Sequence, residues 1–183
     1  MTTTIQGQGA PTTAQQRDFA AAMGLPVLLQ TVTVGTAQQD IDFTSLDLDA
    51  DRIYRIELSH IPNAGENQTV KAFYNSDFTD ANYQNQFLSA AATTATALRQ
   101  STAFAAFGGI PTNANYCNLS TITITKTAGK IPMLMSVSGY INATDAALVT
   151  IAQRWSSSVN VTAIKLRHTT LFGVGTVAKI YKL

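Results

Sequence analysis

Beyond residue 27 the apolar residues of this chain recur at every second position, and that period restricts the fold more than any other feature. In LLQTVTV (28–34), Leu29, Thr31 and Thr33 fall on one face, with Leu28, Val32 and Val34 near the other. Ile41 and Phe43 alternate with Asp40 and Asp42. Tyr54, Ile56, Leu58 and His60 oppose Arg55, Glu57 and Ser59, and Val70, Ala72 and Tyr74 oppose Lys71 and Phe73. STITITKT (120–127) is the clearest case, with Ile122 and Ile124 on one side and Thr121, Thr123 and Thr125 on the other. Neighbours on an extended chain project to opposite faces, so this alternation describes strands buried on one side. The segments 130–141, 147–155, 161–168 and 175–183 extend the series. Turn-forming clusters at 63–67, 75–77, 108–109, 127–129 and 173–175 separate the strands. Eight to ten strands joined by hairpin-length turns, with one or two longer connections, predict an all-β fold: an antiparallel jelly-roll β-sandwich over residues 27–183.

Residues 1–26 read differently, as an N-terminal arm with one short helix. The first eleven residues are mostly Thr, Gln and Gly without period. Between 12 and 23, Thr12 or Thr13 caps a segment in which Gln16, Phe19, Ala20 and Met23 share a face, and Gly24 and Pro26 end it. Three turns with one narrow apolar stripe are not stable alone. Phe19, Met23 and Leu25 are therefore candidate partner-binding residues, packing either on the chain's own sandwich or on a neighbouring subunit. One stretch is ambiguous. Residues 87–109 are Ala-rich enough for a helix over 90–100, but Thr93, Thr94, Thr96 and Thr102 favour strand plus loop, the reading preferred here.

Composition removes several function classes. The chain of 183 residues is 45% hydrophobic and 13% charged, with net charge +1. Disordered chains combine low hydrophobicity with high net charge, and coiled coils and bulk nucleic-acid binders need far more charge. Lys165, Arg167, Lys179 and Lys182 lack the clustering and interleaved aromatics of a nucleic-acid stripe. The opening residues have no basic leader followed by an apolar core, so no secretory signal is expected, and no run is long enough for a membrane span. Cys117 is the sole cysteine, which excludes an intrachain disulfide and a thiolate zinc cluster; a reducing cytosol is the expected folding compartment. The sequons at Asn67, Asn118, Asn142 and Asn160 are accordingly expected to stay unmodified. Residues 1–100 hold 10 acids and 5 bases, residues 101–183 hold 1 acid and 7 bases, a split of −5 against +6. Either the two halves interleave and neutralise one another, or they form faces of opposite sign suited to subunit contacts.

Candidate chemistry is sparse. Asp47, Asp49 and Asp51 alternate like the front of a calcium loop. The glycine and glutamate such a loop requires are replaced by Arg52 and Leu58, so these three are weak metal candidates beside the plainer reading of an acidic turn. Gly173-Val-Gly175-Thr-Val-Ala178 matches a phosphate-binding turn in letters only, because five residues cannot supply the helix it needs. Ser59 and His60 point to opposite faces of a strand and cannot act as nucleophile and base. No hydrolase elbow, zinc-protease or thiol-redox motif appears. A carboxylate-pair glycosidase is a distant possibility among the eleven acids. No cofactor and no catalytic residue is assigned.

One resemblance covers roughly residues 40–183. It runs through LDLDADRIYRIEL (46–58), an aromatic strand, Asn82-Tyr83-Gln84-Asn85-Gln86, Arg99, the Ile-Thr-Ile strand, Trp155 before a serine run, SVNVTAIKL (158–166), and a glycine turn leading to AKIYKL (178–183). This series resembles a module of tailed-bacteriophage virion proteins, although Gly175-Thr176 stands where that module usually has Gly-Ser. The resemblance implies a non-enzymatic virion protein assembled in a host bacterial cytoplasm. The expected form is a capsid decoration or cement protein that bridges coat subunits as a small homo-oligomer, a trimer being favoured. Its partners would be itself and the major capsid or another virion protein, with no role for nucleic acid or membrane. The alternative is a tail or head-fibre module that binds a host receptor or surface glycan, with Tyr74, Tyr83, Tyr116 and Trp155 as candidate sugar-stacking aromatics or, more simply, core residues.

Overall fold

The computed structural model describes residues 13–61, 68–91, 94–108, 118–141 and 146–183. Cys117, Tyr116, the turn at 63–67, the sequons at 67 and 142, and residues 1–12 of the arm lie outside them. In chain order the elements are α1 (Thr13–Ala22), β1 (Val27–Thr33), β2 (Gln38–Phe43), α2 (Leu48–Asp51), β3 (Ile53–His60), β4 (Gln68–Tyr74), β5 (Tyr83–Ala91), β6 (Thr94–Gln100), β7 (Ala106–Gly108), β8 (Asn118–Thr125), β9 (Met133–Ile141), β10 (Ala146–Trp155), β11 (Ile164–Phe172) and β12 (Val177–Lys182). A single 3-10 turn, Asp80–Asn82, precedes β5.

The strands form two antiparallel sheets, β1-β12-β3-β8-β9-β10-β5-β6 and β2-β11-β4-β7. Set aside β5, β6, β9 and β10, and the remaining eight give the four-stranded orders β1-β12-β3-β8 and β2-β11-β4-β7, the interleaved pattern of a jelly roll. The four set aside are two hairpins, one inserted after β4 and one after β8. They pair with each other through β5 and β10 over nine residues, from Ala147 opposite Ala91 to Trp155 opposite Tyr83. They thereby extend one sheet beyond the sandwich as a wing.

The sandwich follows from the alternation. Tyr54, Ile56 and Leu58 of β3, Ile122 and Ile124 of β8, and Ile180 of β12 face Ile41 and Phe43 of β2, Val70 and Ala72 of β4, and Ile164 and Leu166 of β11 in one continuous core. Burying each such side chain contributes about 1.5–3 kcal/mol. Under the wing the core thins. Val149, Ile151 and Phe104 make a small separate cluster with Phe87, whose ring stacks on Phe104 at 5.8 Å. Gln153 fastens it by accepting from the Phe104 backbone N–H and donating to the Ala72 carbonyl.

Two expectations are corrected. Twelve strands occur among the described residues rather than eight to ten, because β6 and β7 carry no alternation to read. Every residue of β6 is exposed, and among the described residues its one sheet neighbour is β5. The Ala-rich stretch is thus a hairpin strand with a loop behind it, not a helix. Strand β11 also begins at Ile164 rather than Val161. Residues 162 and 163 instead give their backbone N–H groups to the Asn75 Oδ1 at 2.8 and 3.1 Å.

The charge split is resolved by strand adjacency. β2 lies beside β11, so Asp40 meets Lys165 and Arg167, and Asp42 meets Lys165. The hydrogen bond from Arg167, helped by Lys165, holds the Asp40 carboxyl below its ordinary range despite burial. Asp49 pairs with Lys126 and Asp51 with Lys182. Four of the ten acids of the first half, Asp40, Asp42, Asp49 and Asp51, thus meet bases of the second within one molecule.

Candidate functional site

The outer face of the wing is the least expected surface of this molecule. On β9 the pattern Met133-Leu-Met135-Ser-Val137-Ser alternates, but in the reverse sense, with Met133, Met135 and Val137 pointing outward and Ser136 and Ser138 buried. The inversion has a packing cause. Residues 103–106, with Ala103, Ala105 and Ala106 buried, lead into β7, which runs close over β8 and β9. The inward residues at that end of the two strands are the small Ser120, Ser136 and Ser138; the larger Ile122, Ile124 and Leu134 lie further along in the main core. Ser120 donates to Ser138 Oγ at 2.9 Å. Cross-strand register then aligns the outward apolar residues. Val137 is opposite Thr121 and Thr150, Leu148 is opposite Gly139 and Ala90, and Leu88 follows opposite Thr150. Leu88, Leu119, Met133, Met135, Val137 and Leu148 are 47–61% exposed, on one continuous sheet face. Large exposed apolar patches on soluble proteins mark contact surfaces.

At the β10–β5–β6 side of this face lies a shallow depression of about 230 Å³, lined chiefly by Gln84, Gln86, Arg99, Met133, Ala152 and Arg154. Arg154 donates from Nε to Gln84 Oε1 at 2.9 Å. Among the described residues neither Arg99 nor Arg154 has a carboxylate partner, unlike the bases of β11. The site therefore offers two exposed guanidinium groups beside an apolar floor.

The arm presents a second uncovered apolar feature. α1 rests mainly against β1, and Phe19, Met23 and Leu25 are 66%, 62% and 52% exposed. The helix terminates with Met23 N–H and Leu25 N–H bonded to the Phe19 and Ala20 carbonyls. Gly24 takes the left-handed conformation that stops it, at φ 65°. The three residues singled out from the sequence are thus together and exposed, and the wing lies at the far side of the same sheet.

The other sequence candidates are occupied elsewhere. Asp47 caps α2 by accepting from the Ala50 N–H and also accepts from Asn160 Nδ2. Those two hydrogen bonds, the Ala50 one first, hold its carboxyl below the ordinary range. Asp49 is taken by the buried ammonium of Lys126, and Asp51 by Tyr54 Oη and Lys182. Among the described residues no three His, Cys, Asp or Glu side chains are grouped closely enough to hold a metal. Adding calcium or a chelator should accordingly leave the melting temperature unchanged within a degree or so. Asp49→Asn should cost about 2 kcal/mol by leaving the Lys126 charge without its partner. A calcium-dependent shift in the melting curve would return these carboxylates to candidacy.

Tyr74, Tyr83 and Trp155 are buried and pack on one another, with the Tyr83 and Trp155 rings stacked at 6.5 Å, so none of the three is available to a sugar ring. The 173–178 glycine motif is a turn into β12, with Gly175 at φ 89°. Two sequon asparagines serve the fold. Asn118 is buried, and Asn160 bridges α2 to the 75–77 turn through the Asp49 N–H, Asp47 and Asn75 Nδ2. His60 and His168, on different sheets, meet inside the sandwich with ring centroids 5.6 Å apart. Among the described residues no helix is long and apolar enough to cross a bilayer.

Alternation alone marks residues 130–141 as a strand without saying which face is covered, and on β9 the apolar Met133, Met135 and Val137 face outward. The signal was present in β9 as serine at every second position between Met and Val. No family model, curated protein or solved structure matches this chain.

Proposed function

We propose that this protein is a structural assembly module rather than an enzyme: a virion component of decoration or cement type that bridges coat subunits as a small homo-oligomer, with a trimer favoured. The observation that carries the assembly reading is the uncovered apolar outer face of the wing, accompanied by an arm helix whose apolar stripe is also uncovered. Two such features on one small chain are what a part made to be packed against other proteins requires. The virion context rests on the segments within 40–183 that resemble phage virion proteins, and on a polar, weakly charged surface that hydrogen-bonds without the desolvation cost of buried charge. The fibre or glycan-binding alternative has less support, since the three described aromatics that would stack on a sugar lie in the core.

Copy number on purified particles of the virus that encodes the chain tests this. Hundreds of copies support decoration, a few to a few dozen favour a tail or fibre part, and none removes the virion reading. Deleting residues 1–25 should abolish incorporation into particles while leaving a cooperatively melting β-sandwich. Incorporation at the normal level would remove the arm from the anchoring role.

A further inference from the structure

The wing face and the arm are both uncovered within one chain, where α1 rests against β1 at the opposite edge of the eight-stranded sheet. Strands in a sheet lie about 4.8 Å apart, so β5 and β6 are about 29 and 34 Å from β1 in the eight-stranded order. Between Phe19 and Val27 the chain has one turn of helix and a short connection, a reach of about 22 Å even when fully extended. The protein's own arm therefore falls short of the far half of its wing.

We infer that the wing face is covered by the arm helix of a second copy of this chain, an inference that rests on the homo-oligomer proposed above. Phe19 on α1 and Met23 just after it, one helical turn apart, supply an apolar stripe for Leu148 of β10 and Leu88 of β5, both beyond the reach of the chain's own arm, with Met135 and Val137 at its near end. Beside Phe19 stands Asp18, exposed and without an ion-pair partner among the described residues. Arg99 and Arg154 at the margin of the wing face are exposed and equally without a carboxylate partner. In a fold whose acids of β2 and α2 are matched internally, one unmatched acid on the arm and two unmatched guanidinium groups on the wing are complementary across a contact between copies. A strip of five strands and about six residues is roughly 400 Å² in extent. In a closed ring of three copies each strip meets one neighbouring arm, so every arm–wing contact removes at most about 800 Å² from water and is repeated at each subunit.

The test is the mass of the intact chain in solution, by light scattering and sedimentation, for the wild type and four variants. The wild type should be an oligomer. Phe19→Glu should dissociate it. Asp18→Arg alone, or Arg99→Glu with Arg154→Glu, should weaken association at least tenfold, and the chain carrying all three charge reversals should regain most of it. All substituted positions are exposed, and each variant's melting curve verifies that it is folded. In a Cys117→Ser background, a Met23→Cys chain mixed with a Met135→Cys chain should form a disulfide between the two. An oligomer of unchanged mass in the Phe19 and charge variants overturns the arm contact while leaving the assembly reading intact. A monomeric wild type at tens of micromolar overturns the arm contact and the homo-oligomer together.

Discussion

Lowering the pH from 7 to 4.5 should cost this fold about 3–5 kcal/mol and depress its melting temperature by roughly 10–15 °C. His60 and His168 are both fully buried between the sheets, where each ring also packs on Phe172. Burial, with a smaller contribution from the other imidazole, pushes His60 down to about 3, and burial pushes His168 to about 4. Hydrogen bonds also suit the neutral forms. Asn118 Nδ2 lies 3.2 Å from His60 Nε2, and the Thr170 N–H donates to His168 Nδ1 at 3.1 Å. The sign follows from linkage. Above about 6.5 neither the folded nor the unfolded chain protonates these rings, so they make no difference. Between 6.5 and about 4 the unfolded chain takes up two protons that the folded chain refuses, and stability falls by about 1.4 kcal/mol per unit for each ring. The lowered carboxyls of Asp40, Asp47, Asp77 and Asp80 lose their contribution only below about 4, so the loss above 4.5 belongs to the histidines. His60→Gln with His168→Asn, which keep acceptors near the two hydrogen-bonded nitrogens, should flatten the profile between 6.5 and 4.5. Imidazole proton shifts that titrate near 6.5 in the folded protein would overturn the assignment.

How far the sequence foretold this depends on whether burial is one-sided. Strands β2, β3 and β8 each have one face in the core and one outside, so Ile41 and Phe43, Tyr54 through Leu58, and Ile122 with Ile124 declared their orientation. β6 has no buried face and carried no pattern; it is held by pairing with β5, which is a property of the partner. β9 carried a pattern of the opposite sense, and the segment that runs over its inward Ser136 and Ser138 lies about 30 residues earlier in the chain. The charge split was visible, but its cancellation depended on β2 and β11 being neighbours, a fact of topology. On the candidate site, Phe19, Met23 and Leu25 were found because a short amphipathic helix is incomplete by itself. Arg99 and Arg154 were not, since an unpaired base is recognised only after the other bases have been assigned their acids. Trp155 is a core residue, the simpler of its two readings, but the partner of its indole N–H, Asp77, lies 78 residues away and leaves no local signal.

Trp155→Ala should be among the most destabilising single substitutions, costing about 4 kcal/mol, because three chain crossings converge on that side chain. Tyr74 ends β4, Tyr83 begins β5, and Trp155 ends β10, at the corner where the chain passes between the sandwich and the wing. Their rings pack at centroid distances of 5.5–6.5 Å. Polar groups of the corner close around Asp77. Its carboxylate accepts from Trp155 Nε1 at 2.7 Å, Asn82 Nδ2 at 2.9 Å and the Thr79 N–H at 3.0 Å. Its backbone carbonyl accepts from Tyr83 Oη at 2.8 Å, and that hydroxyl accepts from the Tyr74 N–H at 3.0 Å. Burial alone would raise the Asp77 carboxyl, but the hydrogen bonds, led by Trp155, outweigh it and hold it below its ordinary range. Removing the indole leaves a cavity between two tyrosines and strips the carboxylate of a donor. Trp155→Phe keeps most of the ring volume and should cost about half as much. Asp77→Asn should cost about 1–2 kcal/mol. The double substitution should cost less than the sum by about 1 kcal/mol, since the Trp155–Asp77 bond is lost only once. Strict additivity in that cycle, measured by urea unfolding, would mean that the indole acts through packing alone. A cost for Trp155→Ala below 1 kcal/mol would mean that the wing does not depend on this corner.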